Sequence, residues 1–120
     1  MKSIILIIAL ISSYGFAPKE GYNATGKASY YHSKFQGRKT ASGEVFDQNQ
    51  LTAAHKSLPF GTMVQVRNLS NDSIVVVKIN DRLSQKSGFV IDLSTKAAKH
   101  LNFIRQGHAK VKVEAIQPEN

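Results

Sequence analysis

Three polar side chains stand where they could move a proton: Glu44, His55 and Asp81. Asp81 ends the run Ile74-Val-Val-Val-Lys-Ile-Asn-Asp81, in which Val75, Val77, Ile79 and Asp81 fall on one face of an extended chain. Three aliphatic residues mark that face as inward. The spacing therefore predicts Asp81 at a strand end, aimed at the interior or mouth of a sheet. A carboxyl partly withdrawn from water keeps its proton to higher pH, and one that keeps it near neutrality can protonate a glycosidic oxygen. The same position also suits a structural Asp that accepts backbone N–H groups at a turn, and both readings are open here. Asn80 and Arg82 alternate to the other face, from which Arg82 could curl back toward the carboxylate.

Glu44 lies in Thr40-Ala-Ser-Gly-Glu44, where Gly43 allows a backbone turn that other residues resist. The competing reading is a solvated loop glutamate. His55 follows Leu51-Thr-Ala-Ala54 and precedes Lys56; a satisfied structural histidine is the alternative there. His32, His100 and His108 have no metal-ligand spacing with carboxylates and the chain has no cysteine, so no metal site is expected. The lack of cysteine also excludes a disulfide scaffold and a thiol nucleophile. No phosphate-cradling glycine loop and no Gly-x-Ser-x-Gly elbow occurs, and no cofactor is expected.

The elements that must hold these residues are short strands. Alternation and β-branched content predict them at Lys27–Tyr31, Leu51–Ala54, Met63–Arg67, Ile74–Asp81, Phe89–Leu93 and Ala109–Ile116, with a hairpin turn at Asn68–Ser73. Ser94 suits the N-cap of one helix, Thr95 to about Leu101, whose apolar side is Leu93, Ala97, Leu101 and Ile104. Many short strands and one helix predict a mainly β fold, a small closed barrel.

A length of 120 residues fits one domain. Sixteen Lys+Arg against eight Asp+Glu give a formal charge of +8, which suits a polyanionic partner or surface. Lys2, the apolar run Ile4–Ile11 and the small residues up to Ala17 predict a signal peptide over residues 1–17. The run is shorter than the roughly 20 residues of a spanning helix. Residues 18–25 read as a linker and 26–117 as the folded domain. Export turns the positive charge away from nucleic acid and toward anionic polymers of the cell envelope.

Seven segments then stand out in order: Gly26-Lys-Ala-Ser-Tyr-Tyr31, Gly37-Arg-Lys-Thr-Ala-Ser-Gly-Glu44, Leu51-Thr-Ala-Ala-His-Lys56, Leu58-Pro-Phe-Gly-Thr62, Val66-Arg-Asn-Leu69, Lys78-Ile-Asn-Asp-Arg82 and Ile91-Asp-Leu-Ser94. Together they resemble the rare lipoprotein A (RlpA) family, from Gly26 to about Ile116. The resemblance implies a six-stranded double-psi β-barrel with one short helix, in a periplasmic or secreted bacterial protein of the cell envelope. It implies a lytic transglycosylase, a lyase that cuts peptidoglycan glycan strands between N-acetylmuramic acid (MurNAc) and N-acetylglucosamine (GlcNAc). Such enzymes leave 1,6-anhydro-MurNAc ends and prefer strands stripped of stem peptides. The family's catalytic positions fall on Glu44, His55 and Asp81, with Asp81 as acid and then base. Tyr30 and Tyr31 would stack on sugars, and Arg82 would bind substrate. No cofactor, nucleic acid or lipid anchor is expected, and a monomer is the expected state. The competing function is a non-catalytic, expansin-like barrel that binds wall glycan. Leu83-Ser84-Gln85 depart from the Gly-Pro-aromatic that usually follows the family's Asn-Asp-Arg.

Overall fold

β-branched residues in alternation, punctuated by Gly, Asn and Asp at turns, form strands because a branched side chain packs well on a pleated, half-buried surface. A computed structural model of the chain describes residues 21–116. It has strands β1 (Asn23–Tyr30), β2 (Thr52–His55), β3 (Met63–Asn68), β4 (Ile74–Arg82), β5 (Phe89–Leu93) and β6 (Ala109–Ala115). A single 3₁₀ turn spans Ser33–Phe35, and one α-helix, α1, spans Thr95–His100. The strands close into a barrel in the order β1-β5-β2-β4-β3-β6. This is the six-stranded, mainly β barrel with one short helix that the sequence predicts.

β1 starts at Asn23, and Asn23, Ala24 and Thr25 pair with Glu114, Val113 and Lys112 of β6. Residues 23–25 therefore belong to the barrel and not to the linker assigned to 18–25. The proposed signal peptide lies outside the described residues.

Two ladders are parallel, β1 with β5 and β2 with β4, and each carries a one-residue slip. In the first, Lys27 meets Phe89 while Ala28 meets Ile91, leaving Val90 as the extra residue. Gly26 makes that bulge possible: a Cβ there would lie 2.4 Å from Val90 Cγ1. In the second, Ala53 meets Ile79 while Ala54 meets Asp81, leaving Asn80 as the extra residue.

The barrel is filled from all six strands, among others by Ala28, Ala53, Val66, Val77, Ile91 and Val111, all buried. Each such aliphatic side chain contributes about 1.5–3 kcal/mol on leaving water. The helix starts where Ser94 Oγ accepts from Ala97 N–H (3.3 Å) and donates to Gln50 C=O (2.6 Å). It buries Ala97 and Ala98 on the same core, with Leu101 and Phe103 following.

A second, smaller apolar cluster lies apart from this core: Tyr31, Phe46 and Ala54, with Phe35 and Leu83 packed against it. It forms where residues 31–50 fold over the outer face of β2.

Candidate active site

The slip at Asn80 decides where Asp81 points. Strict alternation from Val75, Val77 and Ile79 would turn Asp81 inward. One extra residue reverses the facing of everything after it. Asp81 therefore shares its face with Ala54 and Tyr31, outside the core; of the two placements that the spacing allowed, interior or mouth, the interior one is corrected.

There its carboxylate meets three donors. The Tyr31 hydroxyl donates to Oδ2 at 2.5 Å, and the backbone N–H groups of Ala41 and Arg82 donate to Oδ1 at 2.8 and 2.9 Å. Burial, and then the hydrogen bond and charge of Asp81, push the Tyr31 phenol far above its ordinary value of 10.0. Tyr31 thus remains a donor at any working pH. Its ring stacks on Phe46 with centroids 4.1 Å apart, so packing fixes the donor that fixes the carboxylate.

Glu44 arrives from the loop that also supplies Ala41. Lys39 and Val45 form an isolated antiparallel bridge, and Gly43 closes the turn between them at φ +92°. Glu44 Oε2 accepts from Lys78 Nζ at 2.8 Å, and Oε1 accepts from Asn80 Nδ2 at 3.0 Å. These bonds, led by Lys78, hold the Glu44 carboxyl below its ordinary range. Glu44, Lys78 and Asn80 line two adjoining grooves: one of about 310 Å³ completed by Val45, Asp47, Gln50, Leu51 and Thr52, and one of about 220 Å³ completed by Ser42, Phe60, Gly61 and Ile79. Asp81 lines neither of the two; it sits beside them, under the 40–44 loop.

His55 is 2% exposed and both ring nitrogens are engaged. Nδ1 accepts from the N–H groups of Ser57 (3.1 Å) and Leu58 (3.0 Å), and Nε2 lies 2.8 Å from Tyr22 Oη. An Nδ1 that accepts twice leaves the proton on Nε2, which donates to Tyr22. Burial, then the charges of Arg82 and Lys56, push this histidine down to about 4. Its ring meets neither carboxylate, and its carbonyl accepts from Leu83 N–H (3.2 Å) and Arg82 Nη1 (3.3 Å).

The tyrosines expected to stack on sugar are used otherwise. Tyr30 packs on Phe103 and donates to the Ile104 carbonyl at 2.9 Å. Tyr31 is 7% exposed and serves Asp81. Adjacent residues on a strand face opposite ways, so Tyr30 joins the core while Tyr31 joins the outer cluster. Arg82 does remain exposed, its guanidinium 4.1 Å above the half-open Phe60 ring. Leu83, the departure from the family pattern, packs in the outer cluster beside Tyr31.

One ionisable residue escaped sequence reasoning. Asp92 pairs with Ala54 on one side and Ser29 on the other, so the row across the sheet runs Ser29, Asp92, Ala54, Asp81. Ser29 Oγ donates to Asp92 Oδ1 at 3.0 Å. Burial, with a contribution from Asp81, raises Asp92 to about 6 against the bond from Ser29. The signal was a carboxylate between Ile91 and Leu93, which a strand buried on one side sends to the other. Among the described residues no group of three His, Asp or Glu side chains is gathered as a metal site would require.

The sequence profile of the lytic transglycolase family matches residues 23–113. The chain is 50% identical over 97 residues to the endolytic peptidoglycan transglycosylase RlpA of Pasteurella multocida, covering 81% of this chain and 33% of that one. It is 46% identical over 97 residues to the protein of the same name from Neisseria meningitidis, covering 81% and 41%. The chain thus spans well under half the length of these relatives. Among solved structures, the Streptomyces papain inhibitor shares the fold, with a TM-score of 0.66 and 23% identity over 79% of this chain and 94% of that one. A profile match over most of the chain and near half identity across the whole barrel leave one conclusion: the chain belongs to the RlpA family of double-psi barrel lytic transglycolases.

Proposed function

We propose that this protein is a lytic transglycosylase that cleaves peptidoglycan glycan strands, preferably stripped of stem peptides, between MurNAc and GlcNAc, outside the cytoplasm. The observation that carries the reading is Asp81: a carboxyl fixed by three donors beside the Glu44 grooves, in a barrel half identical to a protein named for this reaction. In its acid form Asp81 gives a proton to the glycosidic oxygen as the C1–O bond breaks. The C6 hydroxyl of the same MurNAc attacks C1, and the ionised Asp81 takes the hydroxyl proton. One carboxyl serves twice, no water is consumed and no cofactor is needed. Intramolecular attack reaches effective molarities on the order of 10⁵ M, enough to outrun water. A positioned acid contributes about 10²–10⁴-fold.

The other residues take supporting roles. Tyr31 aims the carboxyl. Glu44, steadied by Lys78 and Asn80, faces the sugar and stabilises positive charge developing at C1. His55 is a positioning residue: its neutral ring holds the turn at Ser57–Leu58 while its carbonyl holds Arg82 and Leu83. Arg82 meets substrate at the open side. The positive surface meets anionic wall polymers, and one chain supplies the whole site, in keeping with a monomer. A signal peptide over residues 1–17 would deliver the protein.

The test is incubation with peptide-free glycan strands and mass spectrometry for 1,6-anhydro ends. Products from the parent and none from Asp81→Asn, with unchanged circular dichroism, are expected. A second reading, a wall-glycan-binding barrel without turnover, has one observation in its favour: Asp81 is engaged by protein donors on both oxygens. No products from the parent would establish it in place of the first.

A further inference from the structure

Seven large hydrophobic side chains are exposed among the described residues, and they are not scattered. Val45 and Phe60 border the grooves. The other five, Met63, Leu69, Ile74, Val76 and Ile116, lie on or just beyond β3, β4 and β6. Alternation puts them on the outer face: Val64, Val66, Val75 and Val77 are buried, so Met63, Ile74 and Val76 point out. Ile116 N–H donates to the Met63 carbonyl and Leu69 N–H to the Lys110 carbonyl, each at 2.9 Å, which brings both residues beside that face. A basic band runs next to the apolar one. Lys110 and Lys112 alternate outward with buried Ala109, Val111 and Val113. Lys110 stands directly opposite Lys27 of β1, and Lys112 opposite Arg67 of β3. Like charges so placed do not stabilise a sheet. The carboxylates nearby are held loosely: Asp72 and Glu114 stand 3.9 Å from Arg67 and Lys112, and among the described residues Lys27 and Lys110 have no ion-pair partner.

Single exposed aliphatic residues need no explanation, but five on one side beside four clustered cations do. A soluble polyanion would satisfy the cations and leave the aliphatic band in water. A surface that is apolar and anionic at once uses both. We propose that the outer face of β3, β4 and β6 rests on the anionic surface of a phospholipid bilayer, with its aliphatic side chains at the headgroup–acyl boundary and Lys27, Arg67, Lys110 and Lys112 on the headgroups. Binding of this kind grows with the apolar area withdrawn from water and with attraction to anionic lipid. The ring supports it. In the closed order β1-β5-β2-β4-β3-β6, β3 and β6 stand across from β5 and β2. Those two carry Asp92 and Ala54, the middle of the row that ends at Asp81. A barrel docked on its far face therefore turns that row away from the bilayer. Lys78 and Arg82, beside the site, stay free to meet the wall. The docking goes beyond the cleavage reading and does not depend on turnover at Asp81.

The test is co-sedimentation of the whole chain with two kinds of vesicle, phosphatidylcholine alone and phosphatidylcholine mixed equally with phosphatidylglycerol. The quantity read is the ratio of the two partition coefficients, in which any contribution of the apolar run Ile4–Ile11 cancels. A Lys or Arg at an anionic surface is worth about fivefold in binding, so four of them should give the parent a preference of about a hundredfold or more for the anionic vesicles at low salt. Lys110→Glu with Lys112→Glu is expected to cut that preference at least about twentyfold. The pair of changes makes opposite-charge pairs with Lys27 and Arg67, so the fold is kept. Lys96→Glu with Lys99→Glu alters the net charge equally, on the helix beside Gln48, and should leave the preference within about threefold. Ile74→Thr with Val76→Thr keeps β-branching and should weaken binding to the anionic vesicles about fivefold. Equal affinity of the parent for both vesicles, or equal losses from the strand pair and the helix pair, overturns the proposal. So does indifference to the threonine pair, which would assign the cations to a soluble polyanion instead. The threonine pair decides even if the glutamate pair on β6 fails to fold.

Discussion

Two buried ionisable groups of the barrel should pull its stability in opposite directions as pH changes. His55 is pushed from 6.5 down to about 4. Between those values the unfolded chain holds a proton that the folded one refuses, so stability rises with pH. It is fully present above 6.5 and lost as pH falls toward 4. Asp92 is raised from 3.8 to about 6. Between those values the folded chain holds a proton that the unfolded one has released, so stability falls as pH rises. It is fully present below 3.8 and gone above 6. Each gap is worth about 3 kcal/mol at face value. Solvent reaches the cations near His55 and part of Asp92, which reduces each to about 2 kcal/mol.

The two slopes overlap and nearly cancel, so the parent should be almost flat between pH 4 and 6. Single variants uncover them. His55→Asn keeps a side-chain oxygen for the Ser57 and Leu58 amides but cannot titrate; its stability should drop by about 2 kcal/mol from pH 4 to 6. Asp92→Asn should gain about 2 kcal/mol over the same range. For a domain of this size that is a movement of about 1.5 M in the urea midpoint. Glu44 is held below its ordinary 4.5, so it adds a rise in stability at the low end of the window that is common to all three proteins and drops out of the comparison between them. Urea denaturation at pH 4, 5 and 6 reads all three proteins. Variants that keep the parent's flat profile, or slopes of the reverse sign, would refute the burial argument for both residues.

Tyr31→Phe removes a donor to a carboxylate, worth about 1.5–3 kcal/mol; it should lower the thermal midpoint and cut anhydro-product formation at least about tenfold, as followed by mass spectrometry. Gly26→Ala drives a methyl to 2.4 Å from Val90 Cγ1, on a stiff β-branched side chain, and should cost about 1–3 kcal/mol in urea unfolding. Thr52→Val replaces an unpartnered, buried hydroxyl by a methyl and should leave stability in urea unfolding unchanged or raise it by about 1 kcal/mol. Lys78→Met should free Glu44 and bring its carboxyl back toward the ordinary range, visible as a higher titration midpoint for the Glu44 carboxyl carbon in NMR.

Much of the barrel is legible residue by residue. Phe89–Leu93 is predicted to the residue, and the Ser94 cap follows from a hydroxyl placed just before a helical apolar face. Strand identity needs only β-branched content or period-two alternation: Ile74–Ile79 is β-branched at all but Lys78, and Ala109–Val113 alternates without interruption. Register needs partners, and those are distant in sequence: nothing local to Asn80 says that Ala53 and Ala54 will straddle it. The facing of Asp81 is lost for that reason, and so are the roles of Tyr31 and Asp92. Tyr30 and Tyr31 cannot both be offered to a ligand from one strand, and alternation alone warns of this. Which of the two joins the site depends on Phe46 and Ala54, brought in from two other segments. His55 is a different case. Its neighbours Ser57 and Leu58 are local, but that their amides turn back onto the ring follows from the turn geometry, which composition does not specify.

The departures from regularity are not spread evenly around the ring. β3 and β6, and their partners along β1 and β4, pair without a slip, with aliphatic residues inward and Lys110, Lys112, Gln65 and Arg67 outward. The costly features gather on the opposite arc: a bulge at Asn80, orphaned polar atoms on Thr52 and Asn80, a carboxyl at Asp92 raised by burial and a histidine kept neutral. Each lowers the stability of an otherwise self-consistent barrel, and repair by a single substitution such as Thr52→Val is open to the sequence. Four separate penalties on one side of a ring of 96 described residues are explained together if that side meets a ligand that repays them. A fold selected for stability alone would have no reason to place them side by side around Ala54.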